Sequence, residues 1–306
     1  MAELWLICEG EPGSVDVALL KAIFTDVLAA EIIVKAGSGE RGLGPIVRYL
    51  NKQDGARAAY VLDRDYLPRD KADASMTDGR PGFFWRRHSI ENYLLPPPVI
   101  LRAFQGLREQ FQQKSASGRI PAWVATLPDD SGEVAEALRG CSRRKAAEEA
   151  CRMATHRLWE SLPSTIGRPQ RRIPRRVGSE DPNDWREALC LEADRVCQSA
   201  ADTAACEHFR REAVSTLFDI AHAEITAESY IRDLEFLVDF HGKDLLGAFH
   251  QWLASRKIPL SRPRLGNVLI PAAVDAYRED RTIYGRDDFR DVANGVRALA
   301  GLPDLS

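Results

Sequence analysis

The sequence predicts an α/β fold, a mostly parallel sheet with helices on both faces, elaborated by a largely helical C-terminal region. Two observations predict it. The first hundred residues alternate strand and helix patterns in the order βαβαβ, which favours a parallel sheet with helical crossovers. Beyond them the chain reads as a succession of helices. At 306 residues, 44% hydrophobic and 28% charged, the composition is that of an ordinary globular protein able to bury a real core.

The elements follow in order. Leu4 to Cys8 is a short apolar run suited to a buried strand. Val15 to Leu28 carries apolar residues at helical spacing, with Ser14 as N-cap. Glu31 to Ala36 is a second strand, followed by the loop GSGERG and a helix from Gly44 to Leu50. Ala58 to Leu62 is a third strand. After Asp65 come a polar loop, the segment FFWRRHSIENYLL and prolines 96–98, which start a helix from Val99 to about Gln112. Asp129 to Leu162 reads as helix. Residues 163–185 have little apolar periodicity, four prolines, and five arginines between 168 and 176, the pattern of a loop or mobile arm. Helical patterns resume at Trp185 and run past His222. A further helical stretch covers Thr226 to Ser255, with His241-Gly242-Lys243 inside it. The expected division is a catalytic core over residues 1–100 and a mainly helical region over 101–306.

A net charge of −3 gives no global basic excess of the kind many nucleic-acid binders show. No run of about eighteen apolar residues appears, so no transmembrane helix is expected. The start MAELWLICEG lacks the basic residues and long apolar stretch of a signal peptide, and a cytoplasmic location is expected. Six cysteines form no CxxC pair and read as reduced thiols. Cys206 with His208 lacks the second ligand pair that structural zinc requires.

In an open parallel sheet, functional residues gather at the carboxyl ends of strands. Glu9 follows the first strand directly, and Asp63 and Asp65 follow the third. Period-two alternation puts both aspartates on one side of the chain, with Arg64 opposite. The three carboxylates converge if strands one and three are neighbours. Left unpaired near a core, each costs several kcal/mol. A hard cation such as Mg²⁺ resolves that conflict, can clamp a phosphate and can activate water. The alternative is a turn capped by Asp63 and Asp65, with Glu9 a solvated loop acid. Spacing alone leaves both open.

At these residues the sequence resembles the TOPRIM domain of topoisomerases, primases and related nucleases. The family's Glu-Gly after strand one and Asp-x-Asp after a later strand appear as Glu9-Gly10 and Asp63-Arg64-Asp65. RRHSIENYLLP, with His88 and Glu91, is similar to a motif of nucleases of the overcoming-lysogenization-defect type and their short relatives without a fused ATPase. FHGKDLLGAF, with Lys243, resembles the Gly-Lys motif of the same group. The four motifs stand in the expected order across residues 4–250. The resemblance implies a metal site of Glu9, Asp63, Asp65 and Glu91 holding Mg²⁺ or Mn²⁺. It implies a metal-bound water attacking a backbone phosphate, with Lys243 neutralising developing charge. The acid that the family often carries four residues after the first glutamate is replaced by Gly13. Asp16 is the candidate for that role, and without it a second metal would bind weakly or not at all. For His88 the choice is between a catalytic role and simple packing.

The resemblance further implies a nuclease acting on DNA or RNA, transfer RNA included, and a phage-defence effector working with a separately encoded partner ATPase. The helical region is expected to shape the substrate cleft and is the candidate homodimer interface. Arg168, Arg171, Arg172, Arg175 and Arg176 form a candidate phosphate-binding arm, the alternative being a loop paired with Glu180, Asp181 and Asp184. Arg143, Arg144 and Lys145 precede Glu148 and Glu149 and suit helix-surface pairs. Gly37-Ser-Gly39-Glu-Arg-Gly42 fits the dinucleotide fingerprint but follows the second strand, so a glycine-rich turn is the better reading. No Walker GxxxxGK[ST] sequence occurs. The rivals are a non-catalytic nucleic-acid-binding or regulatory subunit with the same fold, and nucleotidyl transfer of the primase type.

Overall fold

Strands β1 (Glu3–Cys8), β2 (Ile32–Ala36), β3 (Ala56–Leu62) and β4 (Gly82–Phe84) form one sheet in the order β2-β1-β3-β4. Every neighbouring pair is parallel. This architecture comes from a computed structural model, which describes residues 3–37, 40–53, 55–114, 120–160, 177–199 and 209–305. The five clustered arginines of 168–176, the Cys206–His208 pair, and Ser38 with Gly39 of the glycine-rich loop lie outside the described residues.

Alternation along the strands sends side chains to two helical layers, as a sheet buried on both faces requires. On one face Ile7, Ala58 and Leu62 pack with Leu43 and Val47 of α2 (Glu40–Leu50), and Trp5, Tyr60 and Phe84 flank them. The other face carries the fully buried Leu6, Ala59 and Val61. There α1 (Val15–Ile23) runs back beside β2. Ser14 caps α1 as expected, its hydroxyl accepting from the Val17 N–H. The predicted helix to Leu28 continues as one π-type turn, Phe24–Leu28. Gly37 ends β2 so close to β1 that a Cβ there would sit 2.7 Å from the Cys8 carbonyl oxygen. That is a packing reason for the first glycine of the GxGxxG match.

The remaining helices are α3 (Arg69–Ser75), α4 (Pro97–Lys114), α5 (Ala122–Ala125), α6 (Ser131–Glu160), α7 (Pro182–Ser199), α8 (Arg211–Thr226) and α9 (Glu228–Arg232). They are followed by α10 (Phe236–Asp239), α11 (Gly242–Ser255), α12 (Arg262–Glu279) and α13 (Asp288–Ala298). Two expectations need correction. Residues 226–255 are not one helix, because Leu234 takes a left-handed φ of 59° that a right-handed helix cannot accommodate. The His241-Gly242-Lys243 tripeptide therefore heads α11 instead of lying inside a helix.

Two compact units result, residues 1–137 with 237–306, and residues 138–236. The first holds the sheet, and α13 packs against β1 and β3. The second is helical: α7 and α8 pack together through Leu189, Ala193, Val214 and Phe218, all buried. Lys145 and Arg152 both pair with Glu148, at 2.9 and 2.5 Å, the helix-surface pairing expected of that segment. Among the described residues no helix is long and apolar enough to cross a membrane.

Gly295 of α13 abuts the Phe83 ring so closely that a Cβ would lie 2.5 Å away. Gly295→Ala is expected to cost ~1–3 kcal/mol by overpacking. Gly106, inside α4 with open space where a Cβ would stand, is expected to gain ~0.5–1 kcal/mol as alanine. Urea unfolding of both variants, with m unchanged, checks the opposite signs.

Candidate functional site

Strands β1 and β3 are hydrogen-bonded neighbours, with Cys8 opposite Val61. Glu9 and Asp63 therefore emerge together at the carboxyl edge of the sheet. The chain goes one way from β1 to β2 and returns across β1 to β3, so this edge is the topological switch point. The Glu-Gly pair has a local cause: a Cβ on residue 10 would lie 2.2 Å from Ser14 Oγ and 2.7 Å from Asp16 Oδ2. Glycine there lets the start of α1 fold back against the end of β1, and so delivers Asp16 to the same edge as Glu9.

Glu91 arrives on a single 3₁₀ turn, Ile90–Leu94. Ser89 and Asn92 cap that turn reciprocally, and the Ile90 N–H donates to Asp63 Oδ1 at 3.1 Å. Lys243 comes from α11. Gly242 packs so tightly on the turn that a Cβ would stand 2.5 Å from both Asn92 Oδ1 and Ser89 Oγ. The result puts Lys243 Nζ 3.6 Å from Glu91 Oε1. The segment before Lys243 is fastened by buried donors. Asn92 Nδ2 donates to the carbonyls of Leu237 (3.0 Å) and Phe240 (2.9 Å), and Arg87 Nη1 to Leu237 (3.0 Å). Arg64 pairs with Asp239 at 2.7 Å, and the His88 N–H donates to the Val238 carbonyl.

Glu9, Asp16, Asp63, Glu91 and Lys243 line a single cavity of about 830 Å³. Arg262 and Asn267 from the start of α12 line it too, and neither has a motif that would have singled it out. Asp65 is not among the lining residues. Strand β3 ends at Leu62 and Asp65 takes a left-handed φ of 48°, so strand alternation does not extend to it. Arg64, between the two aspartates, is buried. His88 is fully buried, its ring edge-on to Tyr66 and His241 at 4.8 and 5.3 Å, and it does not line the cavity.

The carboxylates oppose one another electrically. Burial, then the Glu91 charge, raise the Asp16 carboxyl to about 6. Burial, with Glu91 and Asp16 beside it, pushes Asp63 well above the usual carboxylate range. Burial works against the charge on Lys243, but Glu91, Asp16, Asp63 and Glu9 outweigh it and hold its pKa up. Glu91 is 4% exposed, and its Oε2 has no hydrogen-bond partner. A buried carboxylate oxygen left without a partner costs at least the ~1–3 kcal/mol of an unmade hydrogen bond. An all-oxygen donor set with an orphaned carboxylate oxygen suits a hard divalent cation.

Asp129, Asp130 and Glu133 bring one oxygen each within 4.8 Å of one another; among the described residues this is the one trio so close, and the cavity carboxylates are spaced more widely. Its cause is a helix start, since the Glu133 N–H donates to Asp130 Oδ1 at 2.8 Å and acids are favoured in a first turn. No protein-family model, curated protein or solved structure matches the chain in comparison.

The raised acids fix a sign. Folding favours the protonated forms, so the contribution of these two acids to metal-free stability is most favourable at low pH. It falls as pH rises from the unfolded value of 3.8 through about 6. Asp16 alone accounts for ~2–3 kcal/mol of that loss. Roughly half of it falls between pH 5 and pH 8, where thermal melts in chelator are expected to show the decline, and Asp63→Asn is expected to raise the melting temperature at pH 8.

Proposed function

We propose that this chain is a TOPRIM-type, divalent-metal-dependent nuclease that hydrolyses phosphodiester bonds in DNA or RNA. The observation that carries the reading is the meeting of Glu9, Asp16, Asp63, Glu91 and Lys243 in one cavity. They come from several stretches of chain; the resemblance implies site roles for Glu9, Asp63, Glu91 and Lys243, and Asp16 is the candidate for the acid that Gly13 replaces.

Glu9, Asp16, Asp63 and Glu91 would hold Mg²⁺ or Mn²⁺. Such a cation, when bound, supplies charge neutralisation and a Lewis acid for phosphate. Glu91 contributes an oxygen with no competing hydrogen bond. The Ile90 N–H fixes the Asp63 carboxylate so that its second oxygen is left for a ligand. Lys243, a point charge beside the carboxylates, contacts the phosphate and stabilises the charge that builds as water adds to phosphorus. The P–O ester bond then breaks to leave a monoester and a hydroxyl. The role as a phage-defence effector with a partner ATPase rests on the resemblance alone.

A second reading, a non-catalytic nucleic-acid-binding or regulatory subunit, is favoured by one observation. Asp65, the second acid of the Asp-x-Asp motif, does not line the cavity. Cleavage of labelled plasmid DNA, single-stranded DNA and total RNA with Mn²⁺ or Mg²⁺ separates the two. Hydrolysis is expected in the wild type, with loss in chelator and in Glu9→Ala. Lys243→Ala is expected to lower kcat roughly 10²–10³-fold. Equal cleavage by wild type and Glu9→Ala would sink the proposed site, and binding that survives loss of the carboxylates without any cleavage would favour the regulatory subunit.

A further inference from the structure

Glu91 and Lys243 form an ion pair whose two halves differ in what they can do. The Glu91 side chain is 5% exposed and sits on a turn fastened by the Asn92 amide, whereas the Lys243 side chain is 50% exposed. The lysine backbone is as fixed as the glutamate. Gly242 is packed against Ser89 and Asn92, and Arg262 Nη2 donates to the Lys243 carbonyl at 2.8 Å. Beyond Cα, a flexible four-carbon stem carries the ammonium. Its separation of 3.6 Å from Glu91 Oε1 is that of charge attraction without a hydrogen bond. The helix does not favour a cation there either, since Lys243 stands in the first turn of α11, at the positive end of its dipole. The ammonium is therefore held by the acids it faces. Burial opposes its charge, and Glu91, then Asp16, Asp63 and Glu9, outweigh that opposition. A divalent cation among the same acids meets a positive charge already in their midst, in surroundings where like charges repel more than in water. Only one partner of the pair can yield, because the lysine has solvent beside it and Glu91 is buried.

We propose that Lys243 is the built-in counter-ion of the site, competing with the divalent cation for Glu91 and set free for phosphate only when that cation binds. The inference rests on the nuclease reading and adds an order to it: cation first, phosphate second. Before loading, the four acids repel a polyanion, and the ammonium among them is engaged by Glu91. After loading, the cation neutralises the acids, and the displaced ammonium turns outward on its stem to a phosphate oxygen. The same residue thus lowers cation affinity and strengthens the grip on phosphate once the cation is in place, which couples the two ligands.

Calorimetric titration of Mn²⁺ into wild type, Lys243→Gln and Lys243→Arg, without nucleic acid, reads the competition. Lys243→Gln is expected to bind Mn²⁺ roughly 5-fold more tightly or better, and Lys243→Arg to stay near the wild type because the charge is kept. Damage to the fold would weaken binding, which is the opposite sign. Equal or weaker binding by Lys243→Gln overturns the inference and leaves the metal site standing. The release is read from a fluorescein-labelled oligothymidylate, as the gain in affinity that Ca²⁺ gives over chelator. That gain is expected to be several-fold larger in the wild type than in Lys243→Gln; an equal gain overturns the release. If the wild type binds no Mn²⁺, the nuclease reading fails, and melting in chelator at pH 8 judges the counter-ion alone. A lower melting temperature in Lys243→Gln, regained in Lys243→Arg, would uphold it, and three equal temperatures would overturn it.

Discussion

The buried amide of Asn92 is the constraint on which the site depends. Its oxygen accepts from the Ser89 N–H and hydroxyl, and its nitrogen donates to the carbonyls of Leu237 and Phe240. One fully buried side chain thus fixes the turn that carries Glu91 and the segment that leads to Lys243. No apolar residue of similar size could replace it, because the Ser89 N–H and hydroxyl and the carbonyls of Leu237 and Phe240 would all lose their bonds to that amide. Gly242 complements it by allowing α11 to approach within contact of that amide. Opposite charges 3.6 Å apart then follow from packing and do not depend on their own attraction.

The carboxylate edge is the unfavourable part of the molecule, and the surrounding structure is built to tolerate it. Arg86 is bonded to Asp73, Asp288 and Asp291, and Tyr93 to Asp288, which ties the segment between β4 and the Glu91 turn to α3 and α13. Arg87 lies over the rings of Tyr93 and Tyr284 while its nitrogens reach two carbonyls. The Arg86 guanidinium is thus neutralised by acids from α3 and α13, whereas the buried Arg87 Nε has no hydrogen-bond partner. On the cavity side the buried Oε2 of Glu91 is likewise without a hydrogen-bond partner, an orphan that a bound cation would account for.

Much of this was legible in the sequence, and the rest had specific reasons for staying hidden. The βαβαβ order, the Ser14 cap and the convergence of Glu9 and Asp63 follow from local periodicity, because a parallel sheet leaves few ways to arrange three strands. Asp16 could be proposed but not placed, since its position depends on how closely Gly10 lets α1 return. Asp65 was read with Asp63 on strand alternation, a rule that stops where the strand stops, at Leu62. Strand β4 has three residues, Gly82–Phe84, too few to show a period. The break at Leu234 leaves no glycine or proline as a signal. Arg262 and Asn267 belong to an ordinary amphipathic helix in sequence. Only the packing of α12 against α1, with Gly266 near Val15, brings them to the cavity.

The unit formed by residues 138–236 interrupts the unit that holds the sheet, and this has a consequence for biosynthesis. Asn92 must wait for Phe240, 148 residues further along the chain. At ribosomal rates of about 5–20 residues per second, that gap is roughly 7–30 s. Over that interval the nascent sheet carries its cluster of acids without the lysine, so a ribosome-bound chain cannot yet present the assembled site. The meeting of Glu91 with Lys243 is thus delayed until translation has passed well beyond the interrupting unit.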